Sequence, residues 1–168
     1  MYELKSTKIE TPLGEMTAVA HDDALVFLEF NDNENFEKDL EQIREFFEIS
    51  AIEEGENLPL KQIRVEIEDY FKHPFASFKT PVQMIGTDFQ AQVWREIQNI
   101  SSGATSSYSE IAEKIDNPNA ARAVGNAINA NKLAIIVPCH RVLTKNLEFG
   151  GYNSGAHRKS WLLQHEGF

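Results

Sequence analysis

The sequence predicts an α+β protein in two parts: a small N-terminal α/β domain with a β-hairpin-based sheet, then a mainly helical C-terminal domain containing a helix-turn-helix. Three observations predict it. Apolar residues alternate around a Pro/Gly turn near the N-terminus, the period of half-buried strands. Apolar stripes at helical spacing follow in both halves. In the second half, two Ser/Thr starts are each followed three residues later by Gln or Glu, the pattern of capped helix N-termini. With 168 residues and 42% apolar content, the chain can bury a real core.

In the first half, "TPLGEMTAVA" and, after the Asp22-Asp23 turn, "ALVFLEF" predict a hairpin. Phe36, Leu40, Ile43 and Phe47 form the apolar stripe of one helix, and Leu60, Ile63, Ile67 and Tyr70 that of a second. The stretch "SAIEEGENLP" between them reads as a loop. Two prolines and a glycine in "HPFASFKTPVQMIG" break the pattern, which places the domain boundary near residues 80–86 and gives domains 1–82 and 83–168.

The second domain opens on Thr87 with Gln90, a capping-box pattern before a helix whose apolar face is Phe89, Val93, Trp94, Ile97 and Ile100. After the loop "SSGATSS", Ser107 with Glu110 starts a short helix, "SYSEIAEKI". Asn117 as N-cap with Pro118 at the first helical position predicts the next, "PNAARAVGNAINA", close enough for a helix-turn-helix. Ala121, Val124, Gly125 and Ile128 are expected inward, with Gly125 allowing close helix approach. Arg122, Asn126 and Asn129 are expected on the outer face. The run "LAIIVPCHRVL" reads as a buried strand broken by Pro138.

Charge and composition narrow the function. The net charge is −10, but residues 1–84 hold 19 acidic against 8 basic side chains, whereas residues 85–168 hold 7 against 8. The acidic half would face away from a polyanion, and the near-neutral half has room for a local basic surface touching a few phosphates. A single cysteine excludes an internal disulfide and a cysteine-rich zinc site, and the histidines lack ligand-like spacing, so neither a metal nor a cofactor is expected. No apolar run approaches the length of a membrane span, and no secretory h-region is present. A soluble, cytoplasmic, monomeric protein is the expectation.

A lone cysteine is usually a small buried hydrophobe. Cys139 differs in its company: Pro138, His140 and Arg141 put groups that are costly to desolvate beside the thiol, and such groups persist where they are paired or used. Three readings stand at this point: a cysteine hydrolase, a helix-turn-helix DNA-binding regulator without catalysis, and an activated thiol acting on DNA. A hydrolase needs an oxyanion hole, and sequence-adjacent Cys and His are poorly placed for direct proton transfer. A non-catalytic helix-turn-helix regulator accounts for Arg122 but not for the thiol.

Six segments, "FQAQVWREI", "SYSEIAEKI", "NAARAVGNAINAN", "IIVPCHRVL", "GGYNSG" and "KSWLLQHE", together resemble the O6-alkylguanine-DNA alkyltransferases, also called methylated-DNA–protein-cysteine methyltransferases. The strong resemblance covers roughly residues 80–166, and "TPLGEMTAVA" with "ALVFLEF" matches the family's N-terminal domain more loosely. The resemblance implies a structural N-terminal domain and a C-terminal domain for DNA binding and alkyl transfer. Its partner would be double-stranded DNA carrying O6-alkylguanine, with acceptance of O4-alkylthymine left open.

The resemblance also implies roles. A flipped guanine would be attacked at its alkyl carbon by Cys139, with His140 taking the thiol proton through a water and Glu166 orienting that histidine. Arg122 would enter the base stack from the minor groove. Tyr108 would line the pocket, and Asn131 would tie the turn between the recognition helix and the cysteine segment. The carbonyls of Cys139 and Val142 would accept from the guanine amino group, and the loop around Tyr152 and Asn153 would close over the base. Two departures from the family pattern are expected to loosen turns: a serine in "ISSG" and Lys132 after Asn131, both where proline is usual. The N-terminal half lacks the cysteines that hold zinc in some relatives, which implies the metal-free type.

Overall fold

In the computed structural model, which describes residues 2–144, 152 and 154–168, the chain forms two compact units, Met1–Ile85 and Gly86–Phe168. The first begins with β1 (Lys5–Thr11) and β2 (Gly14–Ala20), paired antiparallel with Ile9 opposite Met16. Their turn is fastened by Thr11, whose hydroxyl donates to the Gly14 carbonyl and accepts from the Leu13 amide. Gly14 has φ 120°, a conformation that favours glycine. β3 (Leu25–Phe30) pairs antiparallel with β2, and β4 (Glu53–Glu54) adds to the free side of β1 in parallel, giving the order β3-β2-β1-β4.

β4 lies inside the stretch expected to be a loop. Two residues are too short to show alternation, and the strand is held by its neighbours: the Gly55 amide donates to Ser6 O and Lys5 reaches Glu53. α1 (Phe36–Phe47) and α2 (Leu58–Lys72) follow the predicted stripes, with Asn57 capping α2 by accepting from the Leu60 amide. All of β3 is buried, and Val19, Val26, Phe27, Leu40 and Ile43 share one core cluster with Ile85.

The second unit comprises α3 (Asp88–Gln98), β5 (Ser106–Ser107), α4 (Tyr108–Lys114), α5 (Ala121–Asn129), a 3-10 turn at Cys139–Arg141, β6 (Val142–Leu143) and α6 (Ala156–His165). The capping box at Thr87 and Gln90 is complete on both sides. At α4 the Ser107 hydroxyl accepts from the Glu110 amide, but the Glu110 carboxylate instead accepts from Ser106 Oγ. Buried Val93, Trp94, Ile97, Val124, Ala127 and Ile128 pack α3 on α5, while Arg122, Asn126 and Asn129 are exposed.

Three expectations are corrected here. α5 starts at Ala121 instead of Pro118: Pro118 and Asn119 occupy the centre of a turn closed by the Ala120 amide on Asn117 O, a position Pro suits as well as it suits a helix start. Gly125 does not owe its place to crowding, because an added Cβ would meet the Tyr108 ring at 3.8 Å, ordinary contact. The cysteine run is buried, but only its last two residues, Val142–Leu143, form a strand. It folds through tight turns, in which the Ile136 amide donates to Ala134 O around Ile135, at φ 72°. Among the described residues no helix is long and apolar enough to cross a membrane.

Candidate functional site

The site grows out of the knot between α5 and β6. The Cys139 amide donates to Val137 O at 2.8 Å around Pro138, whose φ of −81° and ψ of 64° make an inverse γ-turn. Three residues before Pro138, Ile135 holds the mirror-handed turn with positive φ, an uncommon and costly state for a β-branched residue. Proline cannot continue a strand ladder, so the chain bends there and presents the thiol at the start of a 3-10 turn. Cys139 is only 2% exposed.

Asn131 is the centre of this knot. Its Oδ1 accepts from the Leu133 amide at 2.9 Å, and its Nδ2 donates to Val137 O at 3.1 Å and to Cys139 Sγ at 3.3 Å. The side chain thus closes the turn and touches the sulfur as well. Nearby, His140 is fully buried, with Nε2 2.8 Å from Glu166 Oε2 at the C-terminal end of α6. Burial pushes His140 below its ordinary value, with the Glu166 contact acting the other way. Burial alone would raise Glu166, but hydrogen bonds from His140 and Arg141 outweigh it and hold the carboxyl at about 2. The pair is therefore a neutral imidazole donating to a carboxylate. A carboxylate only accepts, so the proton sits on Nε2, and Nδ1 carries a free lone pair. Nδ1 is buried and has no hydrogen-bond partner among the described residues.

The sequence alone places Arg141 beside the thiol without a partner and does not single out Lys159. Arg141 grips Glu166 through Nε at 2.8 Å and Nη2 at 2.9 Å, and its Nη1 donates to Ile100 O at 2.6 Å. Lys159 is fully buried on α6, and its Nζ donates to Val142 O at 2.7 Å. Burial lowers Lys159 to about 8, against the pull of Cys139. The signal was available: Lys159 precedes Glu166 by two helical turns, so both lie on one face of α6. The Val142 carbonyl thus already serves Lys159.

The Tyr152 ring stands edge-on to the His140 ring at 6.2 Å. Tyr108 is half-buried at the start of α4 with its ring beside Gly125, and Arg122 lies exposed in the first turn of α5. Asn131 contacts Cys139 and His140 contacts Glu166, the two pairs being joined through the chain at Cys139–His140, whereas Arg122 belongs to the outer face of the helix-turn-helix. Asn153 lies outside the described residues. The turns with departures keep their bonds: the Ala104 amide donates to Ser101 O, with Gly103 at φ 87°, and Lys132 is buried with Nζ 5.7 Å over the Trp94 ring.

Comparison with known proteins bears on this arrangement. Residues 88–168 match the model of the 6-O-methylguanine DNA methyltransferase DNA binding domain, and residues 4–84 that family's ribonuclease-like domain. The methylated-DNA–protein-cysteine methyltransferase of Shigella flexneri is 34% identical over 174 residues, covering 100% of this chain and 98% of its own. The inducible enzyme of that name from Bacillus subtilis is 42% identical over 134 residues, covering 80% and 74%. Mycobacterium tuberculosis OGT in complex with DNA superposes with a TM-score of 0.81 at 32% identity, covering 96% of this chain and 92% of that one.

Proposed function

The chain belongs to the 6-O-methylguanine DNA methyltransferase family, and on that premise we propose that its own Cys139 takes the alkyl group from O6 of guanine in duplex DNA. The protein is a DNA-repair alkyltransferase acting by transfer to a cysteine. The observation that carries the residue assignment is the chain of contacts from Asn131 to Cys139 and from His140 to Glu166.

The chemistry follows from the protonation states. His140 Nδ1 accepts the thiol proton through a bridging water, and the imidazolium that forms is stabilised by the carboxylate already on Nε2. The thiolate attacks the alkyl carbon in line: the S–C bond forms, the C–O6 bond breaks, and guanine leaves as its anion and takes up a proton. Asn131 Nδ2 donates to the sulfur and holds it in place. The lesion reaches the buried thiol by being flipped out of the helix, Arg122 occupying the gap from the exposed face of α5. Tyr108 and Tyr152 flank the flipped base, and the acidic first unit stays clear of the phosphates.

Incubation with a duplex containing O6-methylguanine, followed by mass analysis of the proteolytic peptides, tests this. The Cys139 peptide is expected to gain one methyl group. A methyl group on any other residue, or none, would overturn the assignment.

A further inference from the structure

Lys132 interrupts the asparagine clamp: Asn131 before it supplies the side chain, and Leu133 after it supplies the amide that Asn131 Oδ1 accepts. Its own side chain runs to α3. Lys132 is 5% exposed, and Nζ lies 5.7 Å from the centroid of the Trp94 ring, within the range of a cation–π contact. Trp94 is a fixed platform. Its Nε1 donates to Ala127 O at 2.8 Å, tying α3 to α5, and Gly86 lies so close that an added Cβ would come within 2.6 Å of the ring.

Resting on the reading of Cys139 as nucleophile, we propose that Lys132, by seating its ammonium on the Trp94 face, is a positioning residue that holds Asn131 and thereby the Cys139 sulfur. The coupling runs through bonds already described. Pinning residue 132 fixes the backbone on both sides of it, and so the distance over which Asn131 closes on Leu133, Val137 and Sγ. Without that tether residue 132 would be anchored only through its backbone neighbours, the Asn131 clamp and the bond from the Val137 amide to Leu133 O. A desolvated ammonium over an indole is strong enough to make the difference, whereas an apolar chain of the same length fills the space without the electrostatic hold. Lysine in this place therefore does the work of a rigid backbone residue by a side-chain contact.

The test compares the parent protein with Lys132→Met and Lys132→Arg, each in a Trp161→Phe background so that Trp94 is the sole indole. Single-turnover transfer from an O6-methylguanine duplex is followed at increasing protein concentration, which separates the maximal rate from the DNA dissociation constant. Lys132→Met is expected to lower the maximal rate roughly tenfold with an unchanged dissociation constant, and to shift the Trp94 emission. Lys132→Arg keeps the cation and is expected to retain both the rate and the emission. A Met variant as fast as the parent overturns the proposal, as does an Arg variant as slow as the Met variant or a common emission spectrum in all three. Where Lys132→Met does not fold by circular dichroism, the Arg variant decides: parental rate and emission support the contact, and loss of either overturns it. A parent protein that leaves Cys139 unalkylated would instead defeat the reading on which the proposal rests.

Discussion

Glu166 holds His140 and Arg141 at once: Oε2 is 2.8 Å from His140 Nε2 and 2.9 Å from Arg141 Nη2, and Oε1 is 2.8 Å from Arg141 Nε. Three donors converge on one carboxylate inside the protein, so the acid must stay ionised and the imidazole must keep its proton on Nε2. The lone pair at Nδ1, which the reaction needs, is thus specified by a residue that never meets the substrate.

Glu166→Gln tests that dependence. The amide has only one acceptor oxygen for donors on both sides, so its NH2 group must face either Arg141 or His140. If it faces His140, the imidazole tautomer reverses and the lone pair moves from Nδ1 to Nε2. Alkyl transfer by the variant is expected to slow by about a hundredfold, with Cys139 still present and reduced. A variant that transfers at the parent rate would mean that the His140 tautomer is not set by Glu166.

The pH dependence of stability has a definite sign. Burial holds folded His140 below its ordinary 6.5, so below that pH the unfolded chain binds more protons and stability falls as the solution is acidified. Glu166 acts in the same direction: its folded value of about 2 lies under the ordinary 4.5, so its contribution is complete above 4.5 and is lost as pH falls toward 2. The thermal midpoint should decline first from near 6.5 and again below 4.5. In Glu166→Gln the second stage should shrink. A parent midpoint that rises between pH 6.5 and 5 would show that His140 is charged in the fold.

Two glycines of the second unit should respond oppositely to alanine. At Gly86 a Cβ would come within 2.6 Å of Trp94 Cη2 and of Gln90 Oε1, the same oxygen that completes the Thr87 capping box, so a core ring and a cap would both have to move. Gly86→Ala is expected to cost about 1–3 kcal/mol. At Gly125 the nearest atom is Tyr108 Cε1 at 3.8 Å, and a helical position prefers alanine by roughly 0.5–1 kcal/mol. Denaturant unfolding of both variants checks the pair, and equal destabilisation would contradict it.

The helices were legible because their stripes and caps are local: Thr87 with Gln90 and the face through Val93, Trp94 and Ile97 are set by residues a few positions apart. What escaped depends on distant partners. β4 exists because Glu53 and Glu54 find β1, and nothing in two glutamates announces a strand. The β-branched run before Cys139 has strand composition, but the turns at Ile135 and Pro138 bend it into a knot that Asn131 closes from outside the run. The partners of Arg141, Lys159 and Lys132 could not be read because Glu166, Val142 O and the Trp94 ring are separated from them in sequence. The cysteine site itself was legible only as a motif. Its protonation logic required the His140 and Glu166 contact.

Transfer should stop after one event. The thioether formed at Cys139 is a poor leaving group, and Cys139 is the sole cysteine of the chain, so there is no second thiol to resolve it. Titration against excess O6-methylguanine duplex is expected to plateau at about one methyl per protein chain. Continued transfer beyond the plateau would require a regeneration route that a single thiol does not supply.

Arg122 and Cys139 should separate cleanly by substrate. Arg122 is exposed in the first turn of α5, on the face opposite Val124 and Ile128, so its removal leaves the thiol, Asn131 and the His140–Glu166 pair untouched. If it fills the gap left by a flipped base, Arg122→Ala loses an offset to unstacking worth a few kcal/mol, and repair of a duplex should slow by roughly tenfold or more. A free O6-alkylguanine base needs no flipping, and the variant should consume it at close to the parent rate. Cys139→Ala should consume neither substrate while still binding DNA. Parallel rate measurements on duplex and free base, with the fold checked by circular dichroism, decide the matter. Equal loss on both substrates for Arg122→Ala would place the arginine's influence at the pocket and remove it from the role of holding the duplex open.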